Sequence, residues 1–561
     1  MKIKILVFFL FLSFLIRIIH FSILTSLTVD ETVHITAGYF YVNKGDFLIN
    51  YEHPPLVKTL SGLFLSFVKI NCPDQVYKNL REEQYSLGKV FFYINKDKID
   101  KIVFLARTPL ILISLLLGFL IFLWTKDLYG LEAGIFGLFL FTFCPNFLGH
   151  SCLVTTDVPF TTFFIGTLYF LWKFFEINDK KYIYLFGFFL GFSISTKFTG
   201  IILLPFIIFV LLFYEYITKD KNFFKKNFID FLISFLLIPL FITAFCYQFY
   251  GIKTFIYGLK QVLFETTKRG HIAYLNGNFS LTGWRHYFIL AFIYKTPFAL
   301  IILFLISFLI KPKPEKKEIF VILPALIYFI FSSLSKKQIG IRYIFPFYAL
   351  FYIYVSRLFF YYQNIKIGSK LMKIGIWILI FWYSFASLRI HPHYIAFFNE
   401  IIGGPENGWK YLLDSNIDWG QDLKKLRNYL IKEDNPEIML NYFGSVFPET
   451  YGIIHEPVFE TIFFDIPEKY YYLNSDYPKK EYFAISVNQL LGLVYIDHSI
   501  FHFLLNKRPI KKIGYSIFVY DITKDIEIRE KLLENFEKYG FKRQAERQRK
   551  IIEKLRNNLN F

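Results

Sequence analysis

The sequence predicts a polytopic α-helical membrane protein of about eleven transmembrane helices with a C-terminal extracytoplasmic α/β domain. Three observations predict it. The chain of 561 residues is 55% hydrophobic and 21% aromatic, with mean hydropathy +0.40. Apolar runs recur that approach the ~20 residues needed to cross a bilayer core. After residue 389 those runs cease and shorter, alternating patterns replace them.

The runs lie near 4–26, 102–124, 132–148, 158–176, 182–196, 200–217, 229–249, 287–310, 318–335, 343–362 and 371–389. The first, opening MKIKILVFFLFLSFL, resembles a signal peptide. No small-residue cleavage pattern follows it, so it reads as an uncleaved span. The run at 182–196 is short for a full crossing. With the N-terminus in the cytoplasm of a cell or inner membrane, the inner segments are Lys2/Lys4, 125–131, 177–181, 218–228, 311–317 and 363–370. They carry 15 Lys and Arg, against 4 in the short outer loops 149–157, 197–199 and 336–342. That asymmetry fits the positive-inside rule. Three longer segments then face outward: 27–101, 250–286 and the tail. The chain divides into a membrane unit, 1–389, and a terminal domain, 390–561. In the tail, 438–445, 482–490 and 515–522 read as strands, and Leu423, Leu426 and Leu430 share one helical face. The basic run FKRQAERQRKIIEKLR (541–556) reads as a solvated helix.

The net charge of +19 does not indicate a nucleic-acid partner. Much of the Lys lies in short loops between spans, and no zinc-finger or RNA-binding signature occurs. Cys72, Cys144, Cys152 and Cys246 form no CxxC pair and make neither a disulfide framework nor a metal site.

Chemistry concentrates at the outer ends of the spans. Asp30-Glu31 follows the first span, and Glu52-His53-Pro54-Pro55 comes about twenty residues later. An acid before ETVHITAGYFYV serves equally as a helix cap, whereas ionisable groups at a membrane interface mark sites. Asp157, Lys197, Arg107, Lys336, Lys337 and Arg342 lie at the same outer face. Carboxylates and cations in one outward cavity suit a hydroxyl acceptor and an anionic phosphate.

VDETVHITAGYFYVNKGDF and YEHPPLVKTLSG together resemble the first outer loop of the GT-C-fold membrane glycosyltransferases. The likeness is greatest to glycosyltransferase family 39, the protein O-mannosyltransferases and their bacterial relatives, which include the aminoarabinose transferases. Asp30-Glu31 and His53-Pro54-Pro55-Leu56-Val57-Lys58 carry it. Arg107 in ART, Asp157 in LVTTDVPF, and the stretches 283–300, 339–349 and 391–426 extend it along the chain. The aminoarabinose transferases carry Lys where His53 stands, and there is no room for the lumenal β-trefoil of the eukaryotic enzymes.

The resemblance implies transfer of a sugar from a polyprenyl-phosphate donor to a hydroxyl acceptor on the outer side, with inversion at the anomeric carbon. The acceptor is a protein, a lipid-linked saccharide or a surface glycan; the oligomeric state is left open. The roles expected are Asp30 as base, with Glu31 and Asp157 beside it as catalytic carboxylates that orient the acceptor or hold a divalent ion. Glu52 and His53 would orient the acceptor or a metal, and a divalent ion is left open. Arg107, Lys58, Arg342 and Lys197 are the candidates for the donor phosphate. The helix expected over LVKTLSGLFLSFVK would lie in the outer interface. Two further patterns are discounted. DSNIDWGQD (414–422) has oxygen ligands at alternate positions, but Trp419 and Lys425 stand where a calcium loop needs Gly and Glu, so turn and cap duty is read there. His391-Pro392-His393 lacks an acidic partner. The alternative function is a transporter of a polar or anionic substrate. Against it, the polar groups share one face and no paired repeats are visible.

Overall fold

The computed structural model describes residues 2–73, 80–218, 226–264, 270–310, 315–362, 369–459 and 472–559. The segments expected inside at 218–228, 311–317 and 363–370 therefore lie partly outside the described residues.

Among the described residues, seven helices are long and apolar enough to cross a membrane: Ile3–Leu24, Lys96–Tyr129, Asp157–Ile177, Phe228–Cys246, Lys316–Leu334, Ile341–Tyr361 and Lys370–Arg389. A bent pair, Tyr287–Lys295 and Phe298–Ile310, makes an eighth if counted as one span. The remaining expected spans are shorter apolar helices: Leu131–Thr142, Phe198–Val210 and Lys180–Thr196.

Two expected spans are broken by proline. The run at 287–310 turns by 108° at its break. Thr296, preceding Pro297, sits in extended backbone at φ −90°, ψ 130°, because the proline ring clashes with a helical residue before it. The run at 132–148 breaks likewise. Cys144 is extended at φ −73°, ψ 117° and Pro145 opens a second helix, Pro145–His150.

Between the first two long spans, helix Val29–Lys44 packs on helix Leu56–Leu65. Their contact is backbone on backbone. A Cβ on Gly38 would stand 2.0 Å from the Lys58 carbonyl oxygen, and one on Gly62 would stand 2.1 Å from that of Gly38. Gly38→Ala is expected to lower the thermal midpoint of the detergent-solubilised protein, at a cost of about 1–3 kcal/mol for the overpacking; an unchanged midpoint would mean that the helices part freely. Leu63 of helix Leu56–Leu65 is exposed, as is Phe67 just beyond it.

The tail carries a five-stranded mixed sheet in the order β4-β3-β5-β7-β6. Its strands are β3 (Glu437–Asn441), β4 (Glu456–Pro457), β5 (Glu481–Ser486), β6 (Lys511–Ile513) and β7 (Ile517–Asp521). β3 pairs in parallel with β4 and β5, while β7 is antiparallel to β5 and β6. Helix Leu423–Lys432 buries Leu423, Leu426 and Leu430, the face read from the sequence. The basic terminal helix, Lys542–Leu559, departs from the expectation of a solvated helix. Arg547 is buried and pairs with Glu456 at 2.8 Å and Glu481 at 2.5 Å, and Arg529 pairs with Glu481 at 2.6 Å. One face of the helix thus neutralises acids on two strands. A hairpin of the outer loop, β1 (Ala273–Leu275) and β2 (Asn278–Ser280), turns through Asn276-Gly277, both with positive φ, the conformation that Asn-Gly favours.

Candidate active site

Thr28 is the N-cap of helix Val29–Lys44, and the acidic pair behind it divides. Glu31 reaches back to the Thr28 N–H at 3.0 Å, as an acid three residues past the cap does. Asp30 lines a cavity of about 710 Å³. Both acids sit in the first turn, where the helix dipole favours negative charge.

Four charges alternate along one wall of this cavity. Lys197 Nζ donates to Asp157 Oδ1 at 2.7 Å. Arg342 Nη1 donates at 3.0 Å both to Asp157 Oδ2 and to Asp30 Oδ2. The two aspartates differ in one decisive respect. Asp157 has both oxygens engaged and its side chain is 1% exposed, whereas Asp30 is 23% exposed. Asp30 Oδ1 carries no hydrogen bond from the described residues. Arg342 Nη2 is likewise without a partner among them. The guanidinium lies over the Trp419 ring at 4.0 Å, and its Nε donates to Ser415 Oγ at 3.1 Å.

Six of the nine sequence candidates line the cavity: Asp30, Asp157, Glu52, His53, Arg342 and Lys197. Glu31, Lys58 and Arg107 do not. Glu31 and Arg107 form a fully buried, two-pronged pair at 2.8 and 2.7 Å. The other N–H groups of Arg107 go to the Ser22 and Ser26 carbonyls and to Thr25 Oγ1. All five guanidinium donors are therefore engaged, and none remains for a phosphate. Glu31 also accepts from the Val154 N–H. The pair fastens the second span to the end of the first, which departs from the roles expected of both residues. Lys58 is buried too. Its ammonium donates to Asn50 O at 2.5 Å, Asn50 Oδ1 at 3.2 Å and His53 O at 2.7 Å. It shapes the 50–53 turn that presents His53, and burial holds it well below the usual lysine range.

The sequence did not single out His34, Asn50, Tyr85 or Tyr343, which also line the cavity, as do His271 and Asp414. His34 Nδ1 donates to the Val154 carbonyl at 2.7 Å, which leaves Nε2 as the acceptor. Its ring meets His53 edge-on at 5.4 Å. Burial keeps both imidazoles below their ordinary range, His53 strongly so. His34 lies one helical turn from Asp30, and that spacing was the available signal. Lys337, weighted low in the sequence, lines the cavity with no carboxylate of the described residues at ion-pair distance. Among the described residues no group of three or more His, Cys, Asp or Glu is placed to hold a metal. Asp30 and Asp157 pair with Arg342 and Lys197 instead.

The roof joins two remote segments. Hairpin residues His271, Phe279 and Leu281 come from one side, and Leu493–His498 from the other. The Phe279 and His498 rings stack at 3.8 Å. The 414–422 loop does the turn duty read from it. Asp414 Oδ1 accepts from Ser415 N, and Asp418 Oδ1 from Gly420 N. His391 sits between His20 and Tyr394, and His393 beside Lys425.

Residues 89–247 match the dolichyl-phosphate-mannose-protein mannosyltransferase family. Over the whole fold, the chain is similar to ArnT from Cupriavidus metallidurans bound to undecaprenyl phosphate. The TM-score is 0.50 at 13% identity, covering 91% of this chain and 97% of that one. The chain shares the fold of that protein, the GT-C fold. Apo ArnT gives a TM-score of 0.48 at 12% identity over the same shares of the two chains. The S. cerevisiae Pmt1-Pmt2 complex bound to its sugar donor gives 0.32 at 16%, covering 49% and 38%. No curated protein matches the chain. The family match takes in Arg107, Asp157 and Lys197; Asp30, His53 and Arg342 lie outside it.

Proposed function

We propose that this chain is a glycosyltransferase that moves a sugar from a polyprenyl-phosphate donor to a hydroxyl acceptor at the outer face of the membrane, with inversion and without a covalent enzyme intermediate. The observation that carries the proposal is one cavity holding a carboxylate oxygen without a hydrogen-bond partner, Asp30 Oδ1, beside a guanidinium edge without one, Arg342 Nη2. Asp30 takes the proton of the acceptor hydroxyl as its oxygen attacks the anomeric carbon. The bond from that carbon to the phosphate oxygen breaks, and both its electrons leave with the polyprenyl phosphate. A phosphate leaving group is already stable as an anion, so it calls for cations rather than an acid. Arg342, Lys337 and Lys197 supply them. Asp157 holds Arg342 and Lys197 in place, while Glu52 and His53 face the acceptor. Arg107 and Lys58 act behind the site, on the spans and the turn that present it.

In this reading residues 1–389 form the transferase unit with a cytoplasmic N-terminus, and residues 390–561 form the outer domain. ArnT is bound to undecaprenyl phosphate in its structure, and a donor of that class fits cations set at the ends of apolar helices. The test is release of polyprenyl phosphate from radiolabelled polyprenyl-phosphate hexoses and aminoarabinose in proteoliposomes with mixed acceptors. Release with at least one donor is expected, and it names the sugar. Silence across the full panel would return the chain to the transporter reading.

A further inference from the structure

The outer domain sends one loop into the membrane unit, and that loop touches both halves of the charge array. On one side, the Val29 N–H donates to the Trp419 carbonyl at 2.9 Å and the Ser26 N–H to the Gln421 carbonyl at 3.0 Å. Ser26 Oγ donates to the Gly420 carbonyl and accepts from the Leu423 N–H. Asp30 is the next residue along from Val29. On the other side, the Ile341 N–H donates to Asn416 Oδ1 at 3.0 Å, and Ser415 Oγ bridges Arg342 Nε and the Ile339 carbonyl. Arg342 is the next residue along from Ile341. Beneath the loop, buried Lys295 donates to the carbonyls of Asn416 and Ile395 at 2.5 and 2.7 Å. Tyr287 Oη accepts from Asn416 Nδ2 at 3.0 Å. Trp419 itself is 2% exposed and covers the Arg342 guanidinium at 4.0 Å.

We infer that loop 415–419 is a positioning element of the transfer site, with Trp419 as its principal residue: it sets the distance and angle between the base carried on one element and the phosphate-binding guanidinium carried on another. This rests on the roles proposed above for Asp30 and Arg342. The argument is geometric. Arg342 Nη1 is shared by two carboxylates, and that bond pattern alone leaves the guanidinium free to pivot about it. The indole face fixes the plane of the ring, and Ser415 fixes its Nε corner. Nη2 is thereby held toward the cavity. Aromatic–guanidinium stacking suits this task because it restrains orientation without using a donor.

The test uses the full-length protein in proteoliposomes, comparing Trp419→Leu, Trp419→Phe and Ser415→Ala with wild type, each with its thermal midpoint. A displacement of about 1 Å can cost about 10²-fold in rate. Trp419→Leu is therefore expected to lose about 10²-fold in kcat with donor KM within about threefold, and Trp419→Phe to regain most of it. Ser415→Ala is expected to fall between them, and it serves if Trp419→Leu does not fold. Full kcat in Trp419→Leu would overturn the inference, as would Trp419→Phe being no better than Trp419→Leu at equal midpoint. Asp30→Asn run in parallel separates the two readings. If it turns over normally, the base assignment fails, while the Trp419 variants still report on the loop. If no donor is turned over at all, undecaprenyl phosphate binding is the readout. Because undecaprenyl phosphate carries the charge that develops on the leaving group and the donor does not, Trp419→Leu must then bind it at least about tenfold more weakly than wild type and Trp419→Phe within about threefold, a loss of about 1.4 kcal/mol for the former. Equal binding by all three proteins overturns the inference.

Discussion

Asp30→Asn is expected to reduce transfer by at least the ~10²–10⁴-fold that a positioned general base contributes, with little change in thermal midpoint. The small structural effect follows from the surroundings. Arg342 keeps Asp157 and Ser415 when Asp30 loses its charge, so no cation is stranded. The large kinetic effect follows from the carboxylate oxygen that faces the cavity without a hydrogen-bond partner. Turnover per folded molecule, measured as polyprenyl phosphate released, separates the two. A variant within about tenfold of wild type would remove Asp30 as the base. Asp157→Asn gives a contrast. Its oxygens serve Lys197 and Arg342 rather than the cavity, so its loss is expected in donor KM and stability together.

The largest effect on stability is expected at Arg107→Ala and Glu31→Ala. Each removes one partner of an ion pair with no solvent exposure on either side, a change that costs about 3–5 kcal/mol because the remaining charge is buried unpaired. Arg107→Ala also strands the Ser22 and Ser26 carbonyls, which close the first span. Fluorescence-detected size exclusion across a temperature series would show the loss directly. Arg107→Lys is expected to fall between, since an ammonium cannot reproduce the two-pronged contact. If Arg107→Ala keeps its midpoint and instead raises donor KM, the residue contacts phosphate after all and the geometry described here does not govern it.

Much of the architecture was legible because it depends on local composition. Apolar runs give the spans, and short alternating runs give strands β3, β5 and β7 close to where they occur. The proline breaks were also legible in principle, since Pro145 and Pro297 stand inside the runs that they divide. Six of the residues that line the cavity were legible in the sequence, but not how their contacts divide. Asp30 and Glu31 are adjacent, so a helix directs them about 100° apart and only one of them can face a given cavity. Which one does so depends on Arg107, 76 residues further on. The contacts of Ser415 and Trp419 with Arg342 span more than 70 residues of sequence, and nothing local announces them. His34 and Asn50 belong to the same class: ordinary residues until the turn held by Lys58 brings their neighbours to them.

The bonds from Ser26 and Val29 to Gln421 and Trp419 also bear on how the protein is made. The partners are separated by about 390 residues, so at a synthesis rate of about 5–20 residues per second the first outer helix exists for some 20–80 s before the loop that seats it. Throughout that interval Asp30 lies close behind the first span without Trp419, and for about the first four-fifths of it without Arg342 as well. If Asp30, Arg342 and Trp419 act together as proposed above, the nascent chain is expected to be inert toward a donor until nearly all of its spans and the 415–419 loop have been made. Assembly and competence coincide, and a truncated product ending before residue 415 would sit in the bilayer without activity.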